Sequence, residues 1–288
     1  MFAILLICQM KIFTLKSELK SYLNEIRKDK IVSFIPTMGC LHEGHLSLIQ
    51  NAKQSSDIVV CSIFVNPTQF NNPSDFETYP RTTDRDINIL TEKKCNILYL
   101  PDVSDLFVEN EKVKQFDFDG LDDFMEGDGR KGHFDGVATI VEKLFKIVNP
   151  EKAFFGEKDL QQLQIMKYIS KKLLLSIEII GVPTFREKSG LAMSSRNKLL
   201  SKKDLGKSCL VYNTLRFVKD NSTKFGILEL KEKAMRKFSI QSALDLEYLE
   251  IVSLASLNPI DKLLGKDKNA VCIAASISGV RLIDNIIF

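Results

Sequence analysis

The 288-residue chain is 44% hydrophobic and 27% charged, the balance of a globular protein long enough for one large domain or two ordinary ones. Its 40 basic and 37 acidic residues leave a formal charge of +3, too small an excess for the polycationic surface that a nucleic-acid binder presents. The six cysteines, Cys8, Cys40, Cys61, Cys95, Cys209 and Cys272, form no CxxC pair and several sit in apolar runs, which argues against a disulfide framework and for a reducing, cytoplasmic setting.

The chain opens on MFAILLICQ, an apolar run of about eight residues, too short for a bilayer span of roughly 20. Its nearest cation, Lys11, follows the run rather than preceding it, the reverse of a signal peptide. The run reads as an upstream extension or a misassigned start, with Met10 the natural beginning. No other stretch is a membrane candidate.

Ile31–Pro36 is a short apolar strand stopped by proline, followed by the turn Thr37-Met38-Gly39 and then by Leu46, Ile49 and Ala52 at helical spacing. Ile58–Val65, β-branched and aromatic throughout, predicts a strand covered on both faces. A helix is predicted over Asp84–Lys94 and a strand over Asn96–Leu100. After an acidic, less regular stretch, Val137, Ile140, Val141, Leu144 and Ile147 fall on one helical face. A strand over Ala153–Phe155, a helix over Asp159–Leu174 and a strand over Ile177–Val182 complete the alternation. It predicts a parallel sheet with helices on both faces and ligands beyond the carboxyl ends of the strands.

Beyond Pro183 the texture changes. Helices are predicted over Asp204–Lys219 and Ile227–Phe238, and strands over Leu246–Val252, Ala270–Ile277 and Arg281–Ile286. The expected organisation is therefore an α/β domain over residues 1–184 and a smaller α+β domain over 185–288.

Chemistry concentrates in four places. Pro36-Thr37-Met38-Gly39-Cys40-Leu41-His42-Glu43-Gly44-His45 places two of the three histidines three residues apart where a strand gives way to a helix, so both imidazoles share one helical face. Gly44 lets an anion approach the backbone, and the helix start offers unpaired N–H groups and a positive dipole end. This describes a cradle for a nucleotide's phosphates. Zinc is the rival, without a convincing third ligand.

Gly156-Glu157-Lys158-Asp159, with Gln161 and Gln162, follows another strand, and Lys158 can place a point charge on phosphate oxygens. Met193-Ser194-Ser195-Arg196, in a polar loop after Gly190, offers two hydroxyls and a guanidinium to a polyphosphate. In Phe64–Phe70, Gln69 carries both donor and acceptor, suited to a hydroxy acid and an amine. Each has a plain structural alternative: a solvated helix start for Lys158, an ordinary loop for the serines, a turn for Gln69.

The ordered set PTMGxLHxGH, SIFVNPxQF, YPRT, GHFxGVxT, FGEKDxQQ, SSRN and RLIDN, from about Met10 to Asn285, resembles the pantothenate synthetase family. That resemblance implies a Rossmann-like nucleotidyl-transferring fold, a cytoplasmic homodimer, and ATP and Mg²⁺ acting through a pantoyl adenylate that β-alanine then attacks. It assigns catalysis to His42, His45 and Lys158, with His45 as the proton donor. It assigns ATP to Met38, Gly39, Cys40, Leu41, His42, Glu43, Gly44 and His45, to Gly156, Glu157, Lys158 and Asp159, to Phe185 through its backbone, and to Met193, Ser194, Ser195 and Arg196. Gln69 and Gln162 take pantoate, and Gln69 also borders β-alanine. The metal's ligands stay open: Asp86 and Asp159 are candidates, and neither is assigned. Two positions depart from the family pattern: Lys131 stands where proline is usual, and Phe185 is bulkier than usual. The rivals are another nucleotidyltransferase or a tRNA-ligase relative, for which no tRNA-binding module is evident, and a catalytically silent scaffold that kept the fold.

Overall fold

A computed structural model describes residues 10–71, 73–109, 111–241 and 243–288. The N-terminal run, Cys8 included, lies outside the described residues. In chain order the elements are β1 (Lys11–Phe13), α1 (Lys16–Ile26), β2 (Val32–Thr37), α2 (Glu43–Gln54), β3 (Ile58–Ile63), α3 (Pro73–Glu77), α4 (Thr83–Glu92), β4 (Ile97–Tyr99), α5 (Val103–Leu106), α6 (Glu126–Gly129), α7 (His133–Val148), β5 (Lys152–Gly156), α8 (Leu160–Lys172) and β6 (Glu178–Val182), then α9 (Lys202–Asn221), α10 (Ile227–Gln241), β7 (Asp245–Ser253), β8 (Asn269–Ile277) and β9 (Val280–Ile287). Short 3₁₀ turns stand at Pro67–Gln69, Glu157–Asp159 and Ser195–Leu199.

The chain clusters into two compact units. The first comprises residues up to Phe116, Gly132–Phe155 and Ile169–Val182. Its sheet runs in the order β1-β4-β3-β2-β5-β6, and the pairs β1–β4, β4–β3, β3–β2 and β2–β5 are parallel. β3 is buried along its whole length, as its continuous β-branched run requires. The order reverses between β2 and β5, which makes the carboxyl end of β2 the switch point where ligands bind such sheets. One core layer joins Leu46, Leu48, Ile49 and Ala52 of α2 to Ile35, Val59, Cys61, Ile63 and Leu98 of the strands.

α7 is covered on more than the one face that its apolar spacing predicts. Thr139 and Glu142 are buried too, because the 111–116 segment lies along the helix: Lys114 N–H donates to Thr139 Oγ1 and Phe116 N–H to Asp135 Oδ1. Burial raises the Glu142 carboxyl, but Lys114 at 2.6 Å and Lys146 at 2.5 Å outweigh it and hold its pKa below the ordinary value.

The second unit comprises Asp117–Lys131, Gly156–Tyr168 and Pro183–Phe288. It holds the antiparallel sheet β7-β8-β9. Leu210, Val211, Leu215 and Val218 of α9, and Leu230, Ala234 and Phe238 of α10, pack on Leu249, Ile251, Val271, Ile273 and Leu282 of the sheet. Two segments earlier in the chain than the expected 184/185 division group with this unit. Gln161 is one reason: its buried amide donates to the carbonyls of Leu121 and Phe124 and accepts the N–H of Glu126. Arg281 is another, pairing with both oxygens of Glu126, which also accepts the Tyr248 hydroxyl. Lys131 pairs with Asp128 at 3.0 Å at the end of that segment.

Candidate active site

In the first unit the histidine loop leaves β2 through two consecutive residues with positive φ, Gly39 at +79° and Cys40 at +50°. Glycine meets the first bend without a Cβ, whereas Cys40 occupies a sparsely populated region and needs outside support. Asp86 supplies it. This fully buried carboxylate accepts Cys40 N–H at 2.7 Å and Leu41 N–H at 2.9 Å, and Thr82 Oγ1 donates to both of its oxygens. Arg85 of the same helix donates to Leu41 O, and Gly39 N–H donates to Thr37 Oγ1. Asp86, a candidate metal ligand by sequence, is therefore the brace of the loop.

His42 caps α2. Its Nδ1 accepts Gly44 N–H at 3.2 Å, while His45 Nδ1 accepts His42 N–H at 3.4 Å, and the ring centroids lie 4.1 Å apart. A ring nitrogen that accepts carries no hydrogen, so each neutral imidazole bears its N–H on Nε2. The expectation of unpaired amides at the helix start is corrected at Gly44, whose N–H the His42 ring already takes. Both Nδ1 atoms are thus used within the loop, and the ring hydrogens sit on Nε2.

Gln69 stands on the 3₁₀ turn after β3. Its Nε2 lies 3.1 Å from Met38 Sδ and its Oε1 accepts Asn66 Nδ2 at 3.1 Å, so the structure brings the expected pantoate residue to the histidine loop. Three features hold the turn. Buried Asn66 accepts Thr68 N–H and donates to Gly136 O. The third histidine, His133, lies 2.8 Å from Gln69 O through Nδ1, and since a carbonyl only accepts, that nitrogen carries the hydrogen. Gly136 lies so close that a Cβ there would stand 2.2 Å from Thr68 O.

The remaining expected residues belong to the second unit. Gly156 ends β5 and Glu157–Asp159 forms the next turn. The Lys158 side chain is 20% exposed and its Nζ lies 3.5 Å from Asp159 Oδ1. Burial raises the Glu157 carboxyl above its ordinary value. Gln162 is half-buried on α8 beside the buried Gln161. Residues 185–193 double back as a hairpin: Met193 N–H donates to Phe185 O at 3.0 Å, Arg186 bridges to Ala192, and the bend closes from Gly190 N–H to Glu187 O. Ser194 then caps the turn, accepting Arg196 N–H, while Ser195 is buried and Arg196 half-buried. Asn197, last of the SSRN run, donates to Glu187 Oε1 and Ala192 O.

Among the described residues no group of three or more His, Cys, Asp or Glu side chains gathers as a metal site. Among the described residues Cys40, Cys61, Cys95, Cys209 and Cys272 form no disulfide. Burial pushes Cys95 up to about 11 and Cys272 to about 12, so neither is a nucleophile at neutral pH.

The family model for pantoate-beta-alanine ligase matches residues 11–287. The chain belongs to the pantoate-beta-alanine ligase family. It is a ligase, and joins pantoate to β-alanine. It is 43% identical to pantothenate synthetase of Cytophaga hutchinsonii over 265 residues, 91% of this chain and 93% of that one. Its fold matches the crystal structure of pantothenate synthetase from Thermus thermophilus with a TM-score of 0.90 at 34% identity, covering 96% of this chain and 99% of that one. A pantoate-beta-alanine ligase from Francisella tularensis, solved in complex with a β-γ ATP compound and β-alanine, matches with a TM-score of 0.80 at 35% identity over 96% of this chain and 97% of that one.

The residues missed by sequence reading are those that hold the expected site residues in place: Asp86 and Thr82 for the histidine loop, Asn66, His133 and Gly136 for Gln69. All but Asp86 lie within motifs that carry the family resemblance, so their presence was visible while their partners were not.

Proposed function

We propose that this chain activates (R)-pantoate with ATP and then couples it to β-alanine. A pantoate carboxylate oxygen attacks the α-phosphorus, the bond to the β-phosphate breaks, and pyrophosphate leaves. The β-alanine amine then attacks the acyl carbon of the pantoyl adenylate. AMP leaves with the electron pair of the broken C–O bond, the nitrogen loses a proton, and pantothenate results.

The observation that carries this reading is the pair of neighbouring imidazoles after β2, each with Nδ1 accepting a backbone N–H of the loop and its hydrogen on Nε2. Two preorganised N–H donors stabilise charge that builds on phosphate oxygens and need no reorganisation as it does. His45 acts as the proton donor beside His42. Lys158 places its ammonium on the α-phosphoryl oxygens, and Met193, Ser194, Ser195 and Arg196 hold the polyphosphate. The adenine contact runs through the Phe185 backbone, on the hairpin closed by Met193 N–H and Phe185 O. Met38 to His45 and Gly156 to Asp159 complete the ATP residues. Gln69 and Gln162 hold pantoate, and Gln69 meets β-alanine.

Magnesium enters with the nucleotide: Mg²⁺ commonly keeps its waters and binds through substrate phosphates with one or two carboxylates, of which Asp159, half-exposed beside Lys158, fits. When bound it neutralises phosphate charge. The family resemblance supports a cytoplasmic homodimer, and no helix among the described residues is long and apolar enough to cross a membrane.

A pyrophosphate-release assay across pantoate and related hydroxy acids tests the substrate assignment. Release is expected with pantoate and weak with the others. Strong release with another hydroxy acid and none with pantoate overturns it.

A further inference from the structure

The RLIDN run at the end of the chain contributes no residue to the proposed chemistry, yet its last two side chains hold the segment that carries Lys158. Asn285 is buried, and its Nδ2 donates to Glu157 O at 2.8 Å and to Lys158 O at 2.9 Å. Glu157 and Lys158 open the 3₁₀ turn that runs straight into α8, and their two carbonyls face the one side chain. A single amide with two hydrogens satisfies both and fixes the plane of the peptide on either side of the Lys158 Cα.

Asn285 is itself held. Asp284, 3% exposed, accepts Asn285 N–H at 2.7 Å and receives Arg186 through both guanidinium nitrogens at 2.5 and 2.9 Å. Arg186 also donates to Asn285 O at 3.1 Å and to Gly190 O at 3.0 Å, and its guanidinium lies 4.3 Å from the centre of the Tyr212 ring. A bidentate guanidinium–carboxylate pair with its carboxylate buried is geometrically specific, so the end of β9 serves as a fixed reference for the Lys158 turn.

We propose that Asn285 is a positioning residue for Lys158, holding the backbone of its turn so that the ammonium meets the developing phosphoryl charge in one place. The inference rests on the role proposed for Lys158. Lysine needs such support more than arginine would, because its point charge sits on a flexible four-carbon stem with no planar fork to orient it. A misplacement of about 1 Å costs up to about 10²-fold in rate.

A double-mutant cycle on the full chain tests this, read as the rate of pantoate-dependent exchange of labelled pyrophosphate into ATP at saturating substrates. Asn285→Ala is expected to slow exchange about 10- to 100-fold. In the Lys158→Ala background the same change is expected to slow it by less than about twofold, because a residue acting through Lys158 has nothing left to position. Wild-type exchange in Asn285→Ala, or equal slowing in both backgrounds, overturns the inference while leaving the role of Lys158 intact. Near-normal exchange in Lys158→Ala removes that role and the inference with it. Asn285→Ser keeps one hydroxyl hydrogen for one of the two carbonyls. It carries the same cycle if the alanine variant does not fold, with a smaller slowing expected and the same outcomes deciding.

Discussion

Asp86 accepts the backbone N–H of Cys40 at 2.7 Å and thereby fixes a residue whose φ of +50° an unsupported cysteine would rarely hold. The second oxygen takes Leu41 N–H in the same way, so one carboxylate fixes the exit from the switch-point strand to the histidines proposed for catalysis. In Asp86→Asn an amide N–H₂ replaces one acceptor and faces a backbone donor. The expected cost is about 1–3 kcal/mol, read as a melting temperature several degrees lower. The expected kinetic effect is a lower kcat/KM for ATP, larger than that for β-alanine. Equal loss for both substrates means that Asp86 supports the fold and not the loop.

His45→Ala and Lys158→Ala each remove a donor to developing charge, which typically costs roughly 10²–10³ in rate. Lys158→Ala should leave the melting temperature unchanged, whereas His45→Ala also loses the acceptor of His42 N–H at the start of α2 and should cost up to about 1 kcal/mol. Turnover near normal in both folded variants means that the chemistry lies elsewhere.

Gly136→Ala places a methyl group 2.2 Å from Thr68 O and 3.0 Å from Gln69 Cα. The turn carrying Gln69 has to move. Overpacking of this kind costs about 1–3 kcal/mol, and the KM for pantoate should rise with it. Gly129→Ala is the control, since a Cβ there meets nothing within 4 Å, and it should leave both unchanged.

The Glu126–Arg281 pair predicts a pH dependence. Burial raises the Glu126 carboxyl, but Arg281 on both oxygens, with Tyr248 and Arg130, outweighs it and the net shift is downward. A lowered pKa in the fold means stability that is present above the ordinary value of 4.5 and is lost as pH falls through the lower folded value. Arg281→Gln leaves a buried carboxylate without its bidentate cation and should cost about 2 kcal/mol at pH 7, below the 3–5 of a fully buried pair because Arg281 is partly exposed. Protonation relieves that penalty, so the gap in melting temperature between wild type and variant should narrow below pH 4.5. A gap that is the same at pH 4 and pH 7 contradicts the assignment.

The sequence made visible those parts that repeat or cluster. A β-branched run marked β3, five apolar residues at helical spacing marked α7, and two histidines on one helix turn marked the loop. Other parts depend on single polar contacts made far along the chain. Asp86 lies 46 residues from Cys40 and Asn285 lies 127 from Lys158, and neither pairing leaves a period or a spacing to read. The grouping of 117–131 with the C-terminal unit has the same origin, because it rests on the side chains of Gln161, Tyr248 and Arg281. β1 and α1 escaped for a different reason: three largely exposed residues on an edge, and a helix that buries only Leu19 and Leu23, give too little apolar pattern.

Activation of pantoate as an adenylate is the claim on which the residue roles depend. Exchange of labelled pyrophosphate into ATP, measured with pantoate present and β-alanine absent, tests it most directly. Exchange that appears on adding pantoate and vanishes without it is the predicted result. Folded protein that makes pantothenate when β-alanine is supplied, yet shows no exchange in its absence, contradicts a discrete adenylate.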